Sequence, residues 1–241
     1  MRINVHAGHN PDGKVACGAI GFIQESTEAR RVKDEMIKQL RGLGHTVYDC
    51  TVDNGTSANN VLTNIVKKCN ANDVDLDISI HFNATGGTLP SDGKTTGTEV
   101  YIYKEDSEAK TYAENVCNAI ASLGFKNRGV KVNSKLYVLR KTNAPAMLIE
   151  CCFVNDKDDV ALYDYKEMAS AIVYGITGQA YEEPENQDRD DEASEAGAAT
   201  ANGDSKSLYR VQVGAYSVKD NADNMAKKLK TAGFDAIVVK A

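Results

Sequence analysis

Along this chain the spacing of apolar residues switches repeatedly between two and three-to-four, the mark of strands alternating with helices. Arg2 to His6 predicts a first strand, followed by a glycine-rich loop from Ala7 to Phe22. From Glu25 to Leu43 the positions Ala29, Val32, Met36, Leu40 and Leu43 recur at helical steps, and Gly42 and Gly44 stop the helix. His45 to Asp49 predicts the next strand, and Ser57, a suitable N-cap, opens a helix through Val61, Ile65 and Val66 to about Cys69. In Leu76-Asp77-Ile78-Ser79-Ile80-His81-Phe82-Asn83, apolar and polar residues alternate until Ala84-Thr85-Gly86-Gly87 breaks the pattern, so His81 falls at a strand end.

After a polar loop to Thr96, Thr98 to Tyr103 predicts a strand and Ser107 to Leu123 a helix ended by Gly124. Tyr137-Val138-Leu139 is expected to be extended. Beyond Pro145, the nearly continuous apolar run Ala146 to Ile149 predicts a strand buried on both faces, ending at Glu150. Helical segments from Asp156 to Leu162 and Lys166 to Tyr174 follow. Strand-helix-strand units imply parallel pairing, so residues 1–180 are expected to form one α/β domain, a mostly parallel twisted sheet with helices on both faces.

Residues 181–206 contain few apolar side chains beyond alanine and are expected to be an acidic flexible linker. In residues 207–241, Leu208 to Tyr216 alternates as a strand, Lys219 to Ala232 predicts a helix, and Ala236 to Val239 a second strand, a small strand-helix-strand module.

Composition changes this picture in two places. The net charge of −6 is concentrated between Glu182 and Lys206, where nine acidic residues face two basic ones, which leaves the rest of the chain at +1. With no clustered basic charge, no nucleic-acid partner is expected. No apolar run is long enough to span a bilayer, and no secretion signal is legible at the N-terminus, so no membrane partner is expected either and the chain is taken to be made in the cytoplasm. The six cysteines are scattered without a CxxC pair; Cys151 and Cys152, beside Glu150, are expected to be small packing residues.

The candidate chemistry begins with two of the four histidines. His9 follows the first strand and His81 ends the central one, and ligands of open sheets gather at such carboxyl ends. A catalytic zinc needs about three ligands from His, Asp or Glu and an open position. The third falls to Glu25 or Glu28 at the start of the first helix, although a helix N-terminus also favours carboxylates on dipole grounds alone. Glu150, closing an apolar strand, is expected to have its charged form desolvated and its pKa raised, which suits a group that takes and returns a proton.

These residues resemble the zinc-dependent N-acetylmuramoyl-L-alanine amidases of autolysins and endolysins. The resemblance covers about residues 1–180 and rests on Ala7-Gly8-His9-Asn10, the glutamate opening the first helix, Ile78 to Ala84, Gly97-Thr98-Glu99-Val100, and Pro145 to Asn155. It implies Zn2+ held by His9, Glu25 and His81, with Glu25 selected over Glu28 by its distance from Gly44. It further implies Glu150 as catalytic acid and base, cleavage of the amide between N-acetylmuramic acid and the L-alanine of the stem peptide, and Asn83 and Arg140 as substrate-orienting residues. Cys151-Cys152 departs from the commoner small residue and glycine after the glutamate.

Tyr209 to Ser217 and Leu229 to Phe234 resemble half of a SPOR-type peptidoglycan-binding repeat. Such a half is expected either to pair with its copy in a second molecule, giving a homodimer, or to stay loosely folded. The resemblance thus implies peptidoglycan as partner and an enzyme acting on the wall after release or lysis. The rivals are another zinc peptidase, of carboxypeptidase or aminopeptidase type, and a wall-binding regulator without activity; an intact Glu150 beside three candidate ligands favours the amidase.

Overall fold

The computed structural model describes residues 1–183, 219–231 and 236–239. It divides into two units, Met1–Tyr181 and Glu182–Ala241. In the first, the elements run β1 (Arg2–Ala7), α1 (Glu25–Gly42), β2 (Thr46–Asp49), α2 (Ala58–Cys69), β3 (Leu76–Asn83), β4 (Thr98–Ile102), α3 (Lys110–Ser122), β5 (Asn127–Val132), α4 (Tyr137–Lys141), β6 (Ala146–Phe153), α5 (Lys157–Leu162) and α6 (Tyr165–Thr177).

One six-stranded sheet holds them in the order β2-β1-β3-β6-β4-β5. β2, β1, β3 and β6 are parallel neighbours. β4 and β5 are parallel to each other, and β4 runs antiparallel to β6. The expected α/β class with a mostly parallel sheet is what forms. From β1 the chain passes outward to β2 and then returns across β1 to β3, so the strand order reverses between β1 and β3. At such a reversal the loops leave in opposite directions and open a crevice at the carboxyl ends.

The alternation of side chains sorts the core into two layers. On one face Ile3, Val5, Ile78, Ile80, Met147 and Ile149 pack with Ala29, Val32 and Met36 of α1, Val116 and Ile120 of α3, and Ile172 of α6. On the other face Leu148 and Ala146 pack with Val61 and Ile65 of α2 and Val138 and Leu139 of α4. Each fully buried Ile or Leu contributes roughly 1.5–3 kcal/mol. Ser57 caps α2 by accepting from the Asn60 amide at 3.2 Å.

Three sequence expectations need correction. Tyr137-Val138-Leu139 lies in the one-turn helix α4, not an extended segment; three consecutive apolar residues carry no period, and burial of Val138 and Leu139 against α2 decides the conformation. β5 went unread because Asn127-Arg128-Gly129-Val130-Lys131-Val132 carries only two apolar residues, as suits a charged edge strand. In the second unit α7 (Lys219–Thr231) forms where a helix is expected. Ala236 to Val239, however, make no strand, with Ile237 84% exposed and no ladder partner among the described residues. The expected strand Leu208 to Tyr216 and most of the expected linker lie outside the described residues.

Candidate active site

The crevice between β1 and β3 is built by close backbone packing. The Gly8 amide donates to the Ile80 carbonyl at 3.0 Å, and a Cβ on Gly8 would lie 2.0 Å from Cε1 of His81. Only glycine lets the loop pass beneath that imidazole. His9 then takes φ +65°, a left-handed conformation that residues other than glycine adopt only under constraint. Two neighbours supply the constraint. Asn10, fully buried, donates to the Val15 and Gly55 carbonyls and accepts from the Gly55 amide, while Arg30 of α1 donates through Nη2 to the His9 carbonyl at 3.0 Å and is anchored by Asp53.

α1 brings Glu25 to the same place. Its Oε1 lies 2.9 Å from His81 Nδ1 and 3.3 Å from His9 Nε2, and it also accepts from the Phe82 amide, while Oε2 accepts from the Ala19 amide at 2.7 Å. The two imidazoles meet edge-on with centroids 4.9 Å apart. Burial alone would raise the Glu25 pKa, but the hydrogen bonds and charge of His81 and His9 hold it well below the usual carboxylate range. One ligand atom from each of His9, Glu25 and His81 falls within 4.8 Å of the others. Two ring nitrogens and an ionised carboxylate at these spacings suit a tetrahedral divalent ion with bonds of about 2.0–2.2 Å. Glu28, the alternative third ligand, points elsewhere: Arg31 donates to both its oxygens at 3.1 Å and the Tyr163 hydroxyl to Oε2 at 3.0 Å.

Glu150 enters from β6, in register with His81 of β3. Its Oε2 is buried with no hydrogen-bond partner. Burial first, then the charges of Glu25 and Glu99, push its pKa up to about 8. A buried carboxyl oxygen left without a donor is costly unless it is protonated or reserved for a reacting group. Cys151 and Cys152 are both fully buried, and burial pushes both thiols far up, which leaves them as inert packing residues.

Asn83 points across the sheet, donating to Glu99 Oε1 at 2.9 Å. Arg140 is exposed on α4, with its guanidinium 5.8 Å from the Tyr137 ring. Three contributors escaped the sequence reading. Arg30 clamps the His9 loop. Glu99, directly opposite Glu150 on β4, is a buried charge that lies within the Gly97-Thr98-Glu99-Val100 segment but was given no role there. Asp159 accepts from the Gly97 and Phe153 amides and ties the start of β4 to the end of β6.

The sequence profile of the N-acetylmuramoyl-L-alanine amidases matches residues 3–179, which spans the whole sheet and all four converging side chains. The chain belongs to this family. A SPOR domain profile matches residues 191–240, beginning within the acidic stretch. Among curated relatives, a Clostridium perfringens protein is 37% identical over 77% of this chain and 52% of its own, and the amidase CwlM of Bacillus licheniformis is 32% identical over 74% of this chain and 62% of its own. The chain spans about half to two thirds of the length of the first of these relatives. The family fold is shared with the catalytic domain of the CD27L endolysin targeting Clostridium difficile, at TM-score 0.67 and 26% identity over 76% of this chain and 99% of that one. It is shared as well with Cwp6 of Clostridium difficile, at TM-score 0.62 and 29% identity over 73% of this chain and 28% of that one.

Proposed function

We propose that residues 1–180 form a zinc-dependent peptidoglycan hydrolase that cleaves the amide between N-acetylmuramic acid and the L-alanine of the stem peptide. The observation that carries this reading is the placing of Glu150, with an unpartnered buried oxygen, on the strand beside a His9-Glu25-His81 ligand set, in a chain of the amidase family. When bound, zinc supplies Lewis acidity, polarising the scissile carbonyl and lowering the pKa of water from ~15.7 toward ~7.

The remaining steps belong to the protein. Glu25, held ionised, is a ready ligand at neutral pH. Glu150 accepts the proton of the attacking water on its free oxygen and returns it to the nitrogen of the leaving L-alanine, a role that asks for a pKa near the working pH. Glu150 is half-buried, and its Oε2 is shielded from solvent. The SPOR-matching C-terminal residues would hold the enzyme on its peptidoglycan substrate, either alone or paired with a second copy. On this reading the enzyme acts on the bacterial cell wall. Among the described residues, no helix is long and apolar enough to cross a membrane.

Digestion of purified peptidoglycan by the wild type, His81→Ala and Glu150→Ala tests the reading. Free L-alanine amino termini with intact glycan, absent from both variants, support it. New reducing sugars, cleavage within the stem peptide, or activity that survives both substitutions would overturn it. Sedimentation equilibrium of the full chain separates monomer from homodimer.

A further inference from the structure

A row of ionisable side chains continues past Glu150 along the same face of the sheet. Residues that oppose each other in register point to the same face, so Glu99 of β4 lies beside Glu150 of β6, and Lys131 of β5, in register with Tyr101, lies one strand further. Glu99 is buried and saturated with donors: Asn83 and the Tyr101 hydroxyl reach Oε1 at 2.9 and 2.7 Å, and Arg128 Nε reaches Oε2 at 2.6 Å with the Lys131 ammonium beside it. Those four bonds, set against burial, hold Glu99 down at about 2. Two cations therefore share one permanent anion, which leaves a positive charge on a site otherwise dominated by Glu25 and Glu150.

The cations are also fixed and open. The Arg128 guanidinium lies 5.0 Å from the Phe153 ring centroid, which with Glu99 sets its plane. Only Nε is used; Nη1 and Nη2 have no hydrogen-bond partner among the described residues, and the side chain is 29% exposed. A guanidinium held at its Nε edge with its outer edge facing solvent presents the two-nitrogen fork that binds a carboxylate bidentately. Arg140 has no such support.

We propose that Arg128 and Lys131, braced by Glu99, form a subsite for a carboxylate of the peptide released by the amidase reaction. This rests on the amidase reading of the same site. Distance selects which carboxylate. Adjacent strands are about 4.8 Å apart, so the backbones of Arg128 and Glu150 are separated by roughly 10 Å, while an extended peptide advances about 3.3 Å per residue. With the alanine nitrogen at Glu150, a carboxylate on the second or third residue reaches the fork. The subsite accounts for a charged edge strand beside the catalytic acid and assigns it peptide specificity.

Two measurements test this. Calorimetric binding of the stem tripeptide L-alanyl-γ-D-glutamyl-L-lysine and of its carboxamide counterpart needs no turnover. The wild type is expected to prefer the carboxylate form by about tenfold, Arg128→Gln and Lys131→Gln to lose that preference, and Arg128→Lys to keep part of it, with carboxamide binding unchanged throughout. In hydrolysis of the muramoyl tripeptide, Arg128→Gln is expected to raise KM about tenfold at unchanged kcat. Equal binding of both peptides by the wild type, or parallel losses on both in the variants, would overturn the subsite. The two readings separate cleanly: carboxylate preference without hydrolysis leaves the subsite and removes the amidase, whereas hydrolysis with no preference does the reverse.

Discussion

Glu99 and Glu150 face each other across the antiparallel β4–β6 pair, yet one carboxylate receives four donors and the other has an oxygen with none. Two glutamates on neighbouring strands are thereby driven apart, Glu99 down to about 2 and Glu150 up to about 8. Ionised Glu99 also disfavours ionisation of Glu150. The division resembles the general pattern in which one carboxylate stays charged and its neighbour carries the proton.

Replacing Glu150 by Gln keeps the shape and removes the proton carrier. Hydrolysis is expected to fall by about 10²–10⁴-fold, with zinc content unchanged by elemental analysis. Loss of the metal together with the activity would instead make Glu150 a ligand.

The crevice tolerates no side chain at Gly8. Gly8→Ala would drive a methyl group into the His81 ring, so zinc affinity is expected to drop by about tenfold or more through displacement of His81. Competition with a chromophoric chelator measures it. Removing zinc from the wild type with a strong chelator is expected to abolish hydrolysis and lower the thermal midpoint, since a ligand bound only by the folded state stabilises it.

Arg30 offers a subtler test because, of the candidate ligands, it bonds only the backbone carbonyl of His9 and no ligand side chain. Arg30→Met is expected to weaken zinc binding about 10–100-fold, the usual size of outer-shell effects, while leaving Glu25 and His81 in place. An unchanged zinc affinity would mean that Asn10 alone holds the left-handed His9.

Acid stability reports on Glu99. Its folded pKa lies below the ordinary 4.5, so the stabilisation it confers is fully present above pH 4.5 and is lost as pH falls toward about 2. With Arg128 and Lys131 partly in solvent, this is on the order of 1–3 kcal/mol. Urea unfolding at pH 6, 4.5 and 3 should show a steeper loss in the wild type than in Glu99→Gln. Parallel curves would show that the cluster contributes no net stability.

Much of this was legible in the amino-acid order because it depends on local pattern. Period-two alternation placed His81 near the end of β3, helical spacing placed Glu25 at the start of α1, and an apolar run placed Glu150 on β6, although that strand continues past Glu150 to Phe153 instead of ending there. Parallel strand-helix units then send strand ends to one edge of a sheet, so four side chains far apart in the chain already pointed toward one place. The choice between Glu25 and Glu28 was not local, since both sit in the first turn of α1; Arg31 and Tyr163 draw Glu28 away.

What only the tertiary structure decided is the pairing of strands distant in sequence. β4 turns antiparallel to β6 and carries β5 with it, which sets Glu99 against Glu150 and brings Arg128 and Lys131 alongside. Register and direction of that kind depend on which faces bury together, not on residue spacing, so nothing in the sequence singled out Arg128. The strand ending in His81 was readable from its alternation alone; the electrostatic identity of its neighbours came from the sheet that closed around it.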